Sequence, residues 1–346
     1  MKNKRNKSTT IADVAREAGV SAMTVSRALR EPDRVSGKSL KHIRAVIDRL
    51  GYVPDPAAQA LAAGRTNVIG VIVPSVTNNV FADVMRGLYN AAEGTRWQVQ
   101  FGNSRYSPLE EESLIRTFLS QRPAGLIISG IDQSDQTRNL LRESACRIVQ
   151  IMETTDRPLD MLVGFSHLEG ARAATRHLIQ MGYSRIGFLG ARLDPRTQRR
   201  LEGFRDVVRE AGLLDTNRIV TTPQPSTVTL GGMLMADLLS RAPDTDAIFC
   251  NNDDLALGAL FECQRRGLSV PSDIGICGFN DFEMMASAVP PITSVRTHRQ
   301  EMGNKAMRMI VDALEDREPA EKYVDLGFEV IATSGTQRFL AAQGIE

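Results

Sequence analysis

Hydroxyl and guanidinium side chains are concentrated near the start of the chain, over residues 21–30. An arginine such as Arg27 can donate two hydrogen bonds to the O6 and N7 edge of guanine. Serine and threonine hydroxyls bind DNA phosphates, and such contacts position a protein without selecting a sequence. The hydroxyl residues that suit this role are Thr10, Ser21, Thr24 and Ser26. Each has an alternative role as a local helix cap, and the sequence leaves that choice open.

Two predicted helices over residues 9–30 position these side chains. Gly19 suits a sharp turn between them because it has no Cβ to hinder a left-handed conformation. Ser21 is placed to cap the second helix. The residues expected to face inward at helical spacing are Ile11, Val14, Ala15, Val25, Ala28 and Leu29. The pattern predicts a helix-turn-helix whose second helix enters the DNA major groove, with an ordinary surface hairpin as the alternative.

Charge is distributed unevenly along the chain. Residues 1–66 carry 13 Lys and Arg against 6 Asp and Glu, a net charge of +7, whereas the remainder carries 29 against 35, a net charge of −6. A basic segment on a mildly acidic chain indicates polyanion binding at that end. A third helix is predicted within SGKSLKHIRAVIDRLGYVP, where Leu40, Ile43, Val46, Ile47 and Leu50 follow the helical period and Gly51 ends it.

Residues 55–67 predict either a flexible linker or a conditional helix. Pro56 suits the first position of a helix and Gly64 its end. An isolated helix this short is marginal in water, where about 12–15 residues are needed. Such a helix forms only when a partner holds it.

From Val68 onward, apolar runs alternate with helical segments, which is typical of parallel sheets covered on both faces. The runs are VIGVIVP (68–74), WQVQFG (97–102), AGLIISG (124–130), RIVQIM (147–152), MLVGF (161–165), RIGFLG (185–190), RIVTT (218–222), AIFCN (247–251) and DIGICGF (273–279). So many strands favour two doubly wound lobes with a crossover near 160–165. The late segments 293–295, 300–315 and 323–331 must return to complete both lobes. Ligands of open α/β sheets lie beyond the carboxyl ends of the strands, so two facing lobes predict a ligand cleft.

The whole pattern resembles the lactose-repressor (LacI) family of bacterial transcription regulators. TIADVAREAGVSAMTVSRAL is similar to the family's head motif, and GYVPDPAAQALAAGRT is similar to its hinge. The body carries the landmarks IGVIVPSVTNNVFADVMRGL, GYSRIGFLG, RRLEGF, CNNDDLALGAL, GLSVPSDIGICGFND and PPITSV. Within the family, PSVTNNVFADVMRGL, LGARLDPRT and NDDLALGALFECQRRGLSVP most resemble the repressors of gluconate utilisation.

The resemblance divides the chain into three parts. They are a small all-α helix-turn-helix head over residues 1–55, a hinge helix over 56–66, and an α/β body over 67–346. The body is expected to consist of two doubly wound parallel-sheet lobes, as in periplasmic binding proteins. We expect lobe one at about 67–163 and 292–322, and lobe two at about 164–291 and 323–340.

The resemblance also implies which residues contact DNA. Ala22 and Met23 become the pair that sets operator preference, through thymine methyl groups or steric exclusion, and Arg27 contacts a base or a phosphate. In the family, a leucine at the position of Leu61 inserts into the minor groove, where an apolar wedge unstacks a base step. The alternative for Leu61 is a place on the surface of the body.

A second set of residues is implied for an effector cleft. The family pattern places there Phe81, Arg200, Asn252, Asp253 and Asn280. Arg196 lies four residues before Arg200 and shares its helix face, and two arginines suit a carboxylate through bidentate pairing. We therefore expect a sugar acid, gluconate or a related compound, with Phe81 as the apolar wall. A solvated helix face is the alternative for Arg196. Glu153 and His167 are further candidates, for which core or surface positions are the alternative.

Other functional classes fit the sequence less well. A solute-binding protein of transport shares the two-lobed body, but the chain starts without the apolar segment of a signal peptide, and no uncharged apolar stretch reaches 18 residues. An enzyme is disfavoured because no GxGxxG follows a strand, no GxxxxGK[ST] is present, and the four histidines form no metal or triad pattern. The four cysteines lie in or beside apolar runs without a CxxC pair, which indicates buried, reduced thiols of a cytosolic protein.

The sequence thus predicts a cytoplasmic repressor of sugar or sugar-acid metabolism that a small-molecule effector releases from palindromic operator DNA. No cofactor, metal or membrane partner is expected. The family's tetramers carry C-terminal leucine heptads, which GTQRFLAAQGIE lacks, so we expect a homodimer.

Overall fold

The computed structural model describes residues 9–53 and 66–333 of the protein. The chain divides into two units, Met1–Thr66 and Asn67–Glu346. The helices of the first unit, the head, are α1 (Ile11–Glu17), α2 (Ala22–Arg30) and α3 (Gly37–Leu50), with a 3-10 turn at Pro32–Arg34. The side chains of Thr10, Ser21 and Ser36 each accept a backbone N–H of the helix that follows, which satisfies donors that a helix leaves unpaired.

The core of the head forms where the spacing of its apolar residues predicts. Val14, Val25 and Ile43 have no solvent exposure, and each comes from a different helix. Gly19 adopts φ +63° in the turn between α1 and α2, a conformation that L side chains rarely adopt. The predicted helix-turn-helix is therefore confirmed.

The described part of the second unit, the body, contains two six-stranded sheets, one in each lobe. The strands of lobe one are β1 (Val68–Val73), β2 (Gln98–Asn103), β3 (Gly125–Ser129), β4 (Arg147–Ile151), β5 (Met161–Gly164) and β11 (Tyr323–Asp325). Those of lobe two are β6 (Ile186–Ala191), β7 (Ile219–Thr222), β8 (Ala247–Cys250), β9 (Gly275–Asn280), β10 (Thr293–Thr297) and β12 (Phe328–Ile331). Lobe one has the strand order β11-β5-β4-β3-β1-β2 and lobe two the order β12-β10-β9-β8-β6-β7.

All strand pairs are parallel except β10 with β12, and each of the nine predicted apolar runs forms a strand. The helices of lobe one are α4 (Asn79–Ala92), α5 (Pro108–Ser120), α6 (Asp135–Glu143) and α12 (Arg299–Leu314). Those of lobe two are α7 (His167–Gln180), α8 (Pro195–Glu210), α9 (Val228–Arg241), α10 (Asp253–Arg265) and α11 (Glu283–Ser287). The two-lobed, doubly wound body is confirmed.

The division of the body into lobes differs from the expected one in two strands. The chain crosses between lobes after β5, between β10 and α12, and between β11 and β12. The assignment of 292–322 to lobe one is wrong for β10, which pairs with β9 in lobe two. The assignment of 323–340 to lobe two is wrong for β11, which pairs with β5 in lobe one. Gly327, at φ +64°, lies between β11 and β12, so one apparent strand serves both sheets.

Two helices of lobe one, α4 and α12, pack against each other at glycines. A Cβ on Gly87 would lie 2.0 Å from the carbonyl oxygen of Gln300, and one on Gly303 would lie 2.1 Å from that of Val84. Because backbone atoms cannot yield as a flexible side chain can, larger residues are excluded at both glycines. The two helices therefore form one rigid pair.

Candidate functional site

A cavity opens between the two lobes of the body, at the carboxyl ends of strands from both sheets. Its empty volume is about 520 Å³, including the part open to solvent. The N-terminus of α4, the first turns of α8 and the segments after β2, β4, β6, β7, β8 and β9 form its wall. The predicted effector residues that line it are Phe81, Arg196, Arg200, Asn252 and Asn280. The cavity lies where two facing α/β lobes are expected to hold a ligand.

Arg200 lies at the base of this cavity with its side chain almost fully buried, 7 % exposed. Its guanidinium donates to the Nδ1 atom of His167 at 3.0 and 3.3 Å and to the carbonyl oxygen of Asn251. It also lies 3.8 Å from the ring centroid of Phe279. Burial lowers the pKa of Arg200 to about 10, so the group remains charged at neutral pH. No ion pair to a carboxylate involves Arg200 within the described ranges, and a bound anion would supply one.

His167 is fully buried beside Arg200 and does not line the cavity. Burial and the neighbouring arginine lower the pKa of its imidazole well below the usual value, so the ring is neutral. Since Nδ1 accepts from Arg200, the proton is assigned to Nε2. Glu153 is also buried, with its Oε2 atom 3.5 Å from Nε of Arg199. Both residues occupy the core positions that were the alternative to a place in the cleft.

Two further arginines on the cavity wall belong to lobe two. Arg196 lies 3.5 Å from Asp194, which caps α8. Burial opposes ionisation of Asp194, but Arg196 and the backbone N–H of Thr197 together hold its pKa below the ordinary value. The Arg192 guanidinium lies 3.9 Å from the ring centroid of Tyr106 and has no carboxylate partner among the described residues. The wall thus carries more positive than negative charge.

Asn252 and Asn280 supply polar groups at the ends of two strands. Asn252 caps α10, and its Oδ1 atom accepts the Leu255 N–H at 3.1 Å. Asn280 is 2 % exposed, and its buried Oδ1 atom has no hydrogen-bond partner within the described part of the chain. Its backbone adopts φ +117°, an unusual conformation for a residue with a side chain. An unpaired buried acceptor facing a cavity suits a ligand hydroxyl group.

Asp253 does not occupy the cavity wall, which corrects the expectation. Its carboxylate has no solvent exposure and accepts from the Ser294 hydroxyl at 2.6 Å and from the Phe282 N–H at 2.8 Å. The next residue, Asp254, lines the cavity instead. Asp253 therefore fixes the segment after β9 rather than facing a ligand.

Contacts across the cleft join the lobes. Arg199 of α8 forms a bidentate pair with Asp132 of lobe one, at 2.5 and 3.0 Å. The Arg196 guanidinium donates to the Ser129 hydroxyl of lobe one at 3.3 Å. Helix α8 thus presents cations to the cavity and to the opposite lobe at the same time.

Several cavity residues were not predicted from the sequence. They are Asn78, Tyr106, Arg192, Asp194, Ser226, Asn251 and Asp254, together with the apolar residues Val80, Met152, Ala191 and Phe282 and the small residue Thr197. Most follow the carboxyl end of a predicted strand or begin the next helix. Extending the strand-end rule to every strand would have found them.

The outward face of α2 carries three of the residues that were predicted to contact DNA. Ala22, Met23 and Arg27 are exposed, and the Met23 side chain is 69 % exposed. Ser21 caps α2 by accepting the Thr24 N–H at 3.1 Å, and its hydroxyl lies 2.8 Å from that of Thr24. Ser26 is half-buried. The capping alternative is therefore realised for Ser21 without burying its hydroxyl.

Thr10 also has the capping role, in a reciprocal capping box with Asp13. Its hydroxyl donates to the Asp13 carboxylate at 2.7 Å. Leu61 and the hinge segment around it lie outside the described residues.

The side chains and helix lengths of residues 9–53 and 66–333 bear on metal and membrane binding. No group of three or more His, Cys, Asp or Glu side chains there could hold a metal ion. In the same ranges, no helix has the length and apolar character needed to cross a bilayer. All four cysteines are free; Cys250, Cys263 and Cys277 are buried and Cys146 is half-buried.

Asp253 gives the fold a pH dependence with a definite sign. Burial raises its pKa from 3.8 to about 6, although the Ser294 and Phe282 hydrogen bonds oppose that rise. The unfolded chain ionises first, so the Asp253 contribution to stability falls as pH rises from about 4 to about 6 and is constant above. Two pKa units correspond to about 3 kcal/mol. Urea unfolding followed by the fluorescence of Trp97, the single tryptophan, should show this fall in the wild type and not in Asp253→Asn.

The matched control for this experiment is Ser294→Ala, which removes a hydrogen bond and keeps the carboxyl group. This variant should retain the fall in stability from about pH 4 and extend it above pH 6, because the hydrogen bond that opposed the rise in the Asp253 pKa is lost. An equal fall in Asp253→Asn would show that other groups cause it.

Comparison with known proteins follows the same division of the chain. Residues 10–55 match the model of bacterial regulatory proteins of the lacI family, and residues 175–333 match a periplasmic binding protein-like domain. The chain is 38 % identical to the HTH-type transcriptional regulator GntR of Pseudomonas aeruginosa, over 97 % of this chain and 99 % of that protein. It is 36 % identical to the regulator of the same name from Escherichia coli K12, over 95 % and 98 %.

The fold has a solved counterpart of similar extent. The crystal structure of a LacI-family transcriptional regulator from Silicibacter pomeroyi superposes with a TM-score of 0.87 at 34 % identity, and the match covers 93 % of this chain and 98 % of that one. Similarity of this degree over head and body together leaves one assignment. The chain belongs to the lacI family of bacterial regulatory proteins.

Proposed function

We propose that the protein is a DNA-binding repressor of sugar-acid metabolism, released from its operator when an aldonate such as gluconate binds between the lobes. The observation that carries the choice of ligand is the buried guanidinium of Arg200, which has no carboxylate partner among the described residues. The resemblance of the sequence to repressors of gluconate utilisation supports the same choice. The protein acts in the cytoplasm, where its DNA partner is.

The charge of the cavity wall supports a ligand with one negative charge. Three guanidinium groups, those of Arg192, Arg196 and Arg200, face two carboxylates, those of Asp194 and Asp254. One carboxylate on the ligand neutralises the excess positive charge. A phosphate group would add further negative charge in a site where unpaired charge is costly. Asparagine side chains on the wall suit hydroxyl groups of an open-chain sugar acid.

Removal of the Arg196 guanidinium should weaken gluconate binding. A hydrogen bond to a charged group contributes about 1.5–3 kcal/mol, so Arg196→Gln should raise the dissociation constant by about ten- to hundredfold. The measurement is isothermal titration calorimetry with the full chain. Arg209→Gln is the matched control because Arg209 lies on the same helix, is 61 % exposed, and pairs with Asp206 at 3.4 Å.

The same titration distinguishes ligand classes. We expect neutral glucose and the more highly charged 6-phosphogluconate to bind more weakly than gluconate. Glucose binding equal to gluconate binding would contradict the role given to the arginines, as would an Arg196→Gln variant with wild-type affinity.

DNA recognition is assigned to the outward face of α2. Ala22 and Met23 contact thymine methyl groups, and Arg27 donates to a base or phosphate. Hydroxyl groups at Thr10, Ser21, Thr24 and Ser26 and the α2 N-terminus suit phosphates. Leu61 is proposed to insert into the minor groove at the centre of the operator.

The variant Arg27→Gln should bind the operator about ten- to hundredfold more weakly, because one bidentate contact to guanine contributes discrimination of that size. Fluorescence anisotropy can measure this on a palindromic duplex selected from a random pool with the wild-type chain. Arg16→Gln is the control, since Arg16 is 77 % exposed on α1 and paired with Asp13 at 3.1 Å. Equal losses in both variants would indicate a non-specific charge effect and remove the role of Arg27.

A homodimer is proposed because a palindromic operator requires two heads. The body carries exposed apolar side chains on neighbouring helices, Met233 on α9 at 63 % and Phe261 on α10 at 41 % exposure. Both line one shallow groove between these helices. Exposed apolar groups that adjoin one another mark association surfaces.

A charge placed on this surface should dissociate the dimer. Sedimentation velocity should show Phe261→Glu as a monomer at concentrations where the wild type is dimeric, because burial of the new carboxylate is costly. Leu109→Glu is the control, on an 81 % exposed residue of lobe one. A dimeric Phe261→Glu variant would place the interface elsewhere.

A further inference from the structure

Arg299 lies where the chain passes from lobe two to lobe one, at the first residue of α12. Its side chain is 8 % exposed. A cation at a helix N-terminus also meets the positive end of the helix dipole. Since burial and dipole both oppose a charge here, local contacts must compensate it.

Those contacts link two lobes through one guanidinium. Its Nη1 atom donates to the carbonyl oxygen of Asn280 and, at 3.0 Å, to the Thr297 hydroxyl, both in lobe two. Its Nε and Nη2 atoms lie 3.0 and 2.9 Å from Oδ2 of Asp83, on α4 of lobe one. The guanidinium carbon lies 5.0 Å from the ring centroid of Phe282.

Two of these partners, Asn280 and Phe282, are part of the cavity wall. Asn280 holds its positive φ while its carbonyl accepts from Arg299. The following N–H groups, of Asp281 and Phe282, donate to the Ser294 hydroxyl at 3.0 Å and to the Asp253 carboxylate at 2.8 Å. A strained backbone persists only where its surroundings over-determine it. Arg299 is therefore one of the groups that direct the Asn280 side chain, whose Oδ1 atom has no hydrogen-bond partner among the described residues.

The other partner belongs to a rigid part of lobe one. Asp83 follows Phe81, a cavity residue, by two positions on α4. The pair α4 and α12 is locked at Gly87 and Gly303. The second oxygen of Asp83 accepts from Arg86 at 3.0 Å, which orients the carboxylate toward Arg299. The contacts of Arg299 therefore connect the segment after β9 to α4, and a displacement of that segment would be transmitted to the helix.

We propose that Arg299 is a positioning residue, which holds Asn280 and Phe282 in their ligand-binding arrangement and couples an occupied cleft to helix α4 of lobe one. The coupling to a ligand rests on the proposed function. The positioning of the segment after β9 does not, because it concerns the ligand-free chain.

Amide hydrogen exchange of the ligand-free, full chain tests the positioning role. Arg299→Met should speed exchange at residues 281 and 282 by about tenfold or more, because the constraint on the preceding carbonyl is removed. Arg299→Lys, which keeps a charge and a donor, should restore part of the protection. Arg308→Met is the matched control: Arg308 is an exposed residue of the same helix.

Gluconate titration then tests the coupling. Arg299→Met should bind gluconate about ten- to hundredfold more weakly, the range expected for a lost charged hydrogen bond. Asp83→Asn leaves the Asn280 contact in place, so its gluconate affinity should stay within about threefold of the wild type. The ratio of operator affinities without and with gluconate should nevertheless fall toward one in Asp83→Asn, since that ratio measures coupling.

The outcomes separate the two proposals. If the wild type does not bind gluconate, the proposed ligand is rejected. If Arg299→Met nevertheless shows faster amide exchange at residues 281 and 282, the positioning role of Arg299 is supported. The proposal for Arg299 is overturned if Arg299→Met shows the amide exchange rates, the gluconate affinity and the gluconate response of operator binding of the wild type. If Trp97 fluorescence shows that Arg299→Met does not fold, the Arg299→Lys variant is used instead. Wild-type values of its amide exchange, gluconate affinity and operator response would overturn the proposal.

Discussion

A single buried charge, the Arg200 guanidinium, organises the space between the lobes. A cation taken out of water must find compensation, and the groups in direct contact with it are neutral: the Nδ1 atom of His167, the carbonyl oxygen of Asn251 and the face of Phe279. The Asp194 carboxylate adds a longer-range attraction. His167 can accept only because burial and the arginine keep it neutral. At the base of the cleft this guanidinium forms no ion pair with a carboxylate of the described residues.

Helix α8 carries this charge and also contributes contacts that join the two lobes. Arg196 and Arg200 lie one turn apart and line the cavity, while Arg199 reaches Asp132 across the cleft. Arg192, just before the helix, stacks on Tyr106 of the other lobe, and both residues hold left-handed backbones, with φ of +72° and +59°. One helix therefore carries both the cations of the cavity wall and contacts that join the lobes. Residues held in such conformations cluster at ligand clamps and switches.

Periodicity and apolar runs were sufficient to predict the helices and strands of this fold. They were not sufficient to predict which strands pair with each other. The runs from Val68 to Phe279 all became strands, because strands buried on both faces are apolar throughout. The return of the chain was misassigned, since YVDLGFEVI has the appearance of one strand and only the backbone at Gly327 divides it. Pairing of distant segments is not encoded in the local pattern.

The site shows the same limit at the level of single residues. Asn252, Asp253 and Asp254 begin one helix, where successive side chains point in directions about 100° apart. Sequence places all three at the strand end, but the rotation of the helix decides which one is buried. Asp253 turned inward to Ser294 and Phe282, and Asp254 turned to the cavity. The position of Arg200 on the cavity wall was predictable because the family motif includes this residue.

The three crossings between lobes have a consequence for synthesis of the protein. Strand β11 completes the edge of one sheet and β12 the edge of the other, and both come from residues 323–331. On the ribosome, the nascent body therefore carries two unfinished sheet edges until almost all of the described chain has emerged. Unpaired edges are templates for aggregation. The head has its own core and caps, so it can be complete long before the part that regulates it.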